Sequence, residues 1–196
     1  MNNTAIIILA AGNSSRLGRP KQLLPYRGGT LLSHVVGEAL RAALRPVVVV
    51  TGAYHAEIEA SLQGQPVVPT YNALWESGLG SGIVVGLQQA LSIEPHLQTA
   101  IIAVCDQPYI SAELFQGLVR NHLVSGKGLV ACKYSETLGT PVLFGQRYFN
   151  ELSMLQGDAG AKQLLKRHPE DVAAIPFPKG CIDIDTEEDL KGLPRT

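Results

Sequence analysis

The chain has 196 residues, 45% apolar and 17% charged, with 16 basic and 17 acidic side chains and a formal net charge of -1. That composition excludes a disordered chain, and the balanced charge leaves no global basic field for general nucleic-acid binding. The length suits a single domain over residues 1–196, and no run approaches the roughly 20 apolar residues of a membrane helix.

In chain order, residues 4–10 form an isoleucine-rich apolar run that lacks the basic start and cleavage site of a signal peptide. Residues 31–44 place Leu32, Val35, Val36, Ala39, Leu40 and Ala43 at helical spacing. Residues 46–51 are a second β-branched run ending at Gly52, and 66–69 a weaker one. Residues 83–91 read as a helix, 99–105 as a third buried strand ending at Asp106, and 112–124 as a helix. Weaker strands are expected at 128–132, 140–144, 172–175 and 181–184. Residues 146–168 read as one or two helices broken at 157–160, able to cap the sheet as a small subdomain. Strand and helix in alternation predict an α/β fold: a doubly wound, mostly parallel sheet flanked by helices. Ligands in such sheets bind beyond the carboxyl ends of the strands. Cys105, Cys132 and Cys181 are far apart, odd in number and set in apolar runs, so they read as buried reduced thiols of a cytoplasmic protein.

The loop after the first strand is Leu9-Ala10-Ala11-Gly12-Asn13-Ser14-Ser15-Arg16-Leu17-Gly18-Arg19-Pro20-Lys21. Its small residues allow close backbone approach, Gly12 and Gly18 can take positive φ, and its N–H groups can form an anion nest. Arg16, Arg19 and Lys21 add three cations. Five residues separate Gly12 from Gly18 and Arg19 follows, so the loop is not a Walker A motif, and a G-x-G-x-x-G fingerprint is absent. A solvated turn is the competing reading. Its place directly after a buried strand favours a triphosphate-binding loop.

This segment, with Gln22-Leu23-Leu24-Pro25 behind it, resembles the signature of the MobA-like nucleotidyltransferases, and most closely that of the molybdenum cofactor cytidylyltransferases. Further similar segments follow in family order: Trp75 to Gly82, Asp106-Gln107-Pro108, Gly139 to Phe144, Gly157 to Lys162, and Asp183 to Leu190. Ala11 stands where the guanylyltransferase branch has glycine, which implies cytidine triphosphate. Lys162 replaces a usual arginine, which loses the bidentate fork at a phosphate or pterin contact. Glu187 replaces a usual proline at a helix start, where its charge is favourable.

The resemblance implies a Rossmann-like nucleotidyltransferase fold and a nucleotide site of Leu9, Ala10, Ala11, Gly12, Arg16, Lys21, Gly78, Gly80, Ser81 and Asp106. It casts Arg16, Lys21 and Asp106 as catalytic and Mg2+ as the cofactor. On position alone, a turn or capping aspartate is the commoner meaning of Asp-x-Pro; the resemblance assigns Asp106 to magnesium. Asp183 and Asp185 would share one face of a strand, where paired carboxylates suit a second metal ligand, with Asp185 nearer the strand end. Thr186 can equally cap a helix with Asp189 as its partner. Gly78, Gly80 and Gly82 read as a loop before a helix at Ile83, with or without a ligand, and Trp75 as a core residue. The five histidines show no metal spacing, and Ser14 and Ser15 lack a nucleophile elbow.

The implied reaction is attack of an acceptor phosphate on the α-phosphorus of the nucleotide, with pyrophosphate leaving. The implied partners are CTP, a pterin-type or other phosphorylated acceptor, and a recipient molybdoenzyme or its chaperone, with no nucleic acid and no membrane. The alternatives are a related transferase using GTP or a sugar phosphate, a non-catalytic nucleotide- or cofactor-binding chaperone, and an oxidoreductase, against which the missing dinucleotide fingerprint argues.

Overall fold

Six consecutive buried residues form β1 (Thr4–Leu9), whose side chains alternate between two apolar layers. Ile6 and Ile8 face one layer; Ala5, Ile7 and Leu9 face the other. The computed structural model describes residues 3–15, 17–184, 186, 188 and 189. After β1 come a short hairpin, β2 (Pro25–Tyr26) and β3 (Gly29–Thr30), and then α1 (Leu31–Arg41). Thr30 and Ser33 cap α1 reciprocally. Next in order are β4 (Val47–Thr51), α2 (His55–Ser61), β5 (Val68–Tyr71), α3 (Leu79–Ile93), β6 (Thr99–Val104) and α4 (Ala112–Ser125). The last third holds β7 (Leu129–Tyr134), β8 (Thr137–Gly145), α5 (Phe149–Ser153), α6 (Ala161–Arg167) and β9 (Val172–Pro176).

The main sheet has seven strands in the order β5-β4-β1-β6-β8-β7-β9. Strands β5, β4, β1 and β6 are parallel; β8 runs antiparallel to β6 and β7, and β9 is parallel to β7. Helices α1, α2 and α4 cover one face, and α3, α5 and α6 the other. This is the doubly wound, mostly parallel fold expected from the alternating pattern. The chain steps outward from β1 to β4 and β5, returns through α3, and lays β6 on the opposite side of β1. That reversal opens a crevice at the carboxyl ends of β1 and β6.

Several local expectations are corrected. Residues 181–184 are not a strand: a 3-10 turn at Pro178–Cys181 precedes them, so Asp183 does not sit on a strand face with Asp185. Asp185 itself, like Arg16 and Glu187, lies outside the described residues. Helix α3 begins at Leu79, so Gly80, Ser81 and Gly82 belong to its first turn and not to a loop. Strand β5 starts two residues later than expected. Helices α5 and α6 add Leu152, Leu164 and Leu165 to the core that α3 and β1 share. Cys105 and Cys132 are buried as expected, but Cys181 is exposed. Among the described residues, no helix is long and apolar enough to cross a membrane.

Candidate functional site

The loop leaving β1 is closed by one serine. Ser14 takes φ 50°, its carbonyl accepts the N–H groups of Leu17 and Gly18 at 2.9 and 3.2 Å, and its Oγ accepts Lys21 N–H at 3.0 Å. Gly18 has the left-handed φ of 64° expected of it; Gly12 does not, and Ser14 takes that role. The turn returns Lys21 to the carboxyl end of the sheet, where its Nζ donates to Asp106 Oδ2 at 2.6 Å. The two side chains are 17% and 19% exposed, so the pair is largely shielded from water. The N–H groups of Ala11, Gly12 and Asn13 meet no acceptor among the described residues. Unpaired donors beside a cleft favour an anion or a carbonyl edge.

Asp106 follows β6 directly, and its turn is held from three sides. Its carbonyl accepts Ile184 N–H at 3.0 Å, which lays the Asp183 segment beside it. Gln107, buried, donates from Nε2 to Gly180 O at 2.8 Å, and Tyr26 Oη donates to Pro108 O at 3.0 Å. Just beyond, the buried Glu38 carboxylate accepts Ala112 N–H at 2.9 Å, fixing the start of α4. Thr186 and Asp189 exchange the capping bonds anticipated for them. Cys105, next to Asp106, is no nucleophile: burial first, and the Asp106 charge second, push its thiol up to about 12.

The opposite wall comes from the start of α3. Gly78 has φ 109°, and Gly80 N–H donates to Gly157 O at 2.9 Å. A β-carbon on Gly78 would lie 2.5 Å from the Gly157 carbonyl and 2.6 Å from Asp158 Oδ1. The 157–160 segment is therefore docked on a position that accepts only glycine. Gly78→Ala is expected to cost about 1–3 kcal/mol, from a strained φ and a backbone clash. It should also loosen the 157–160 segment, which packs on Gly78. Urea unfolding checks the first effect, and an unchanged midpoint would contradict it.

These parts enclose a cleft of about 380 Å³, lined by Leu9, Ala11, Gly12, Lys21, Gly78 and Asp106 among the residues anticipated from sequence. Ala10 is buried behind it, and Gly80 is buried against the 157–160 segment. Ser81 lies outside it: Leu74 O and Gly78 O, both at 2.9 Å, share its one hydroxyl proton, and its oxygen accepts from Asn72 Nδ2 at 2.8 Å. Arg19 and Lys162 are exposed and do not line it. Trp75 is half-buried in the wall and is not a core residue. The lining residues without a sequence assignment are Asn13, Gln22, Asn72, Glu76, Leu79, Cys105 and Asp158, with Val104. Only the in-order resemblance at 157–162 hinted that Asp158 would arrive here. Among the described lining residues, one cation faces three carboxylates: Lys21 against Glu76, Asp106 and Asp158. No three His, Cys, Asp or Glu side chains converge among the described residues.

A doubly wound sheet with a glycine-bearing loop, a lysine and an aspartate at its switch point defines a Rossmann-like nucleotide-handling protein. The chain belongs to the MobA-like NTP transferase domain family, whose model matches residues 6–172. It is similar to nicotine blue oxidoreductase of Paenarthrobacter nicotinovorans, 31% identical over 94% of this chain and 90% of that protein. It is also similar to purine catabolism protein PucB of Bacillus subtilis, 29% identical over 93% and 92%. Among solved structures, Rv0371C of Mycobacterium tuberculosis in complex with manganese superposes with TM-score 0.74 at 26% identity, covering 96% of each chain.

Proposed function

We propose that this nucleotidyltransferase moves cytidine monophosphate from CTP to a phosphorylated acceptor of the molybdopterin class, in the cytoplasm and with Mg2+. The observation that carries the reading is the Lys21–Asp106 pair at 2.6 Å, set at the mouth of a cleft with unpaired backbone donors. A bare triphosphate fits poorly beside three carboxylates, so a divalent cation is the natural counterion for both. The hard oxygens of Asp106, with those of Asp183 and Asp185 as further candidates, suit magnesium. When bound, magnesium supplies charge neutralisation at the phosphates. Lys21 would neutralise the departing pyrophosphate, with Arg16 assigned the same work. The acceptor phosphate is already ionised, so no general base is required. Its oxygen forms the new bond to the α-phosphorus as the α–β bridge breaks, and pyrophosphate leaves. The chain's contribution is positioning and charge.

The test is pyrophosphate release with each of CTP, GTP, ATP and UTP, magnesium and molybdopterin, followed by mass analysis of the product. Release with CTP alone supports the reading, and release with GTP alone moves the specificity to guanosine. Release with a sugar phosphate and not the pterin reassigns the acceptor, and tight nucleotide binding without release makes the chain a chaperone. The oxidoreductase name of one relative motivates a second reading, an oxidation or reduction carried out in the same cleft. Consumption of a nicotinamide dinucleotide without pyrophosphate release would favour it.

A further inference from the structure

Beside Lys21 lies a side chain that the proposed chemistry does not use. Gln22 is fully buried at 0% exposure in the 3-10 turn Lys21–Leu23, behind the loop that follows β1. Its Nε2 donates to Ala10 O and to Gly12 O, both at 2.9 Å. Two carbonyl oxygens can be met only by the NH2 end of an amide, so the orientation of the carboxamide is fixed by chemistry. Its Oε1 is buried and has no partner among the described residues. A glutamine with one end left unsatisfied is a costly way to fill a core. The compensating gain lies in what the other end controls.

In a trans peptide the N–H points opposite to the C=O of the same unit. Drawing the Ala10 and Gly12 carbonyls onto Gln22 therefore turns the N–H groups of Ala11 and Asn13 away from it. Both residues line the cleft, and neither N–H has an acceptor among the described residues. The peptide between them is fixed as well, because Ala11 O accepts Ala53 N–H at 3.2 Å. We infer that Gln22 is a positioning residue: its carboxamide presets the Ala11 and Asn13 N–H groups as donors to acceptor atoms of the nucleotide. This rests on the nucleotide-binding reading above. It adds that the loop is held in its binding shape before the ligand arrives, which lowers the ordering cost of binding.

The test uses the full chain with CTP and magnesium, in wild type, Gln22→Met and Gln22→Glu. Met keeps the volume without a donor; Glu keeps the shape but presents oxygens to the two carbonyls. Both variants are expected to bind CTP about 10- to 100-fold more weakly, the scale of two misdirected hydrogen bonds. KM should rise while kcat changes by less than about threefold, since the donors act in the ground state as well as the transition state. In 15N-resolved spectra the Ala11 and Asn13 amides of the wild type should shift on CTP titration, and in Gln22→Met these shifts should be lost. Wild type that binds no nucleotide overturns the nucleotide reading itself. Wild type that binds without moving those two amides, or Gln22→Met that binds as tightly as wild type, overturns the role of Gln22 alone.

Discussion

Lys21→Ala is expected to lower turnover by about 100- to 1,000-fold, the usual cost of removing one preorganised charge-stabilising donor. The lysine is placed for this by two restraints that do not involve its own charge. Its backbone N–H is held by Ser14 Oγ at 3.0 Å, and Pro20 precedes it at the head of the 3-10 turn. Its ammonium, 2.6 Å from Asp106, faces the carboxylate that we propose holds the cation. Removing it therefore has a second, opposite consequence. Without nucleotide, Lys21→Ala should bind Mn2+ more tightly than wild type, because a positive charge has been taken away from the carboxylate. Damage to the fold would weaken both properties together; loss of a phosphate clamp separates them. Stability should fall by about 1–3 kcal/mol, because the pair is largely shielded and its loss leaves the Asp106 carboxylate without this lysine. Steady-state pyrophosphate release, Mn2+ titration by electron paramagnetic resonance and thermal melting read the three quantities. Turnover within threefold of wild type would remove Lys21 from the chemistry.

Particular elements show how far the amino-acid pattern reaches. β1, β4 and β6 were legible because each is a short apolar run buried on both faces, which only a central strand of a parallel sheet requires. α2 was not legible, since Ile58 is its one buried residue and a seven-residue helix with a single anchor has no periodicity to detect. The alternation of Cys181, Ile182, Asp183 and Ile184 imitates a strand. The turn at Pro178–Cys181 redirects the segment instead, and only Ile184 is buried, beneath Asp106. β8 extends to nine residues because Ser135 and Glu136, with φ of 46° and 57°, make the tight turn that pairs Thr137 back onto Tyr134. No glycine announces that turn. At the site, Lys21 and Asp106 stand 85 positions apart; the rule that ligands sit beyond strand ends points to both places, and the family resemblance supplied their roles. Gln22 escaped notice because burial decides its role, and burial of a polar residue is not encoded in the residue type. Trp75 misled for the same reason: large aromatics are usually buried, and this one forms a cleft wall.

Asp106→Asn is expected to have the larger effect, about 1,000-fold or more on turnover, because it removes the charge that pairs with Lys21 and that we propose holds the cation. The substitution preserves shape. The restraints around the position use backbone or neighbouring groups: Ile184 N–H to Asp106 O, Gln107 to Gly180 O, and Tyr26 to Pro108 O. The turn should therefore persist, and circular dichroism and crystal structures of the variant should match wild type. Mn2+ affinity should fall, opposite in sign to the change in Lys21→Ala. The two side chains are in direct contact and, in the proposed reaction, act on one phosphate chain, so their losses should not add: the double variant should turn over about as slowly as Asp106→Asn alone. Additive losses would mean that lysine and aspartate act at separate steps. A fully active Asp106→Asn would remove the carboxylate from the reaction, and with it the argument that this cleft is built around a divalent cation.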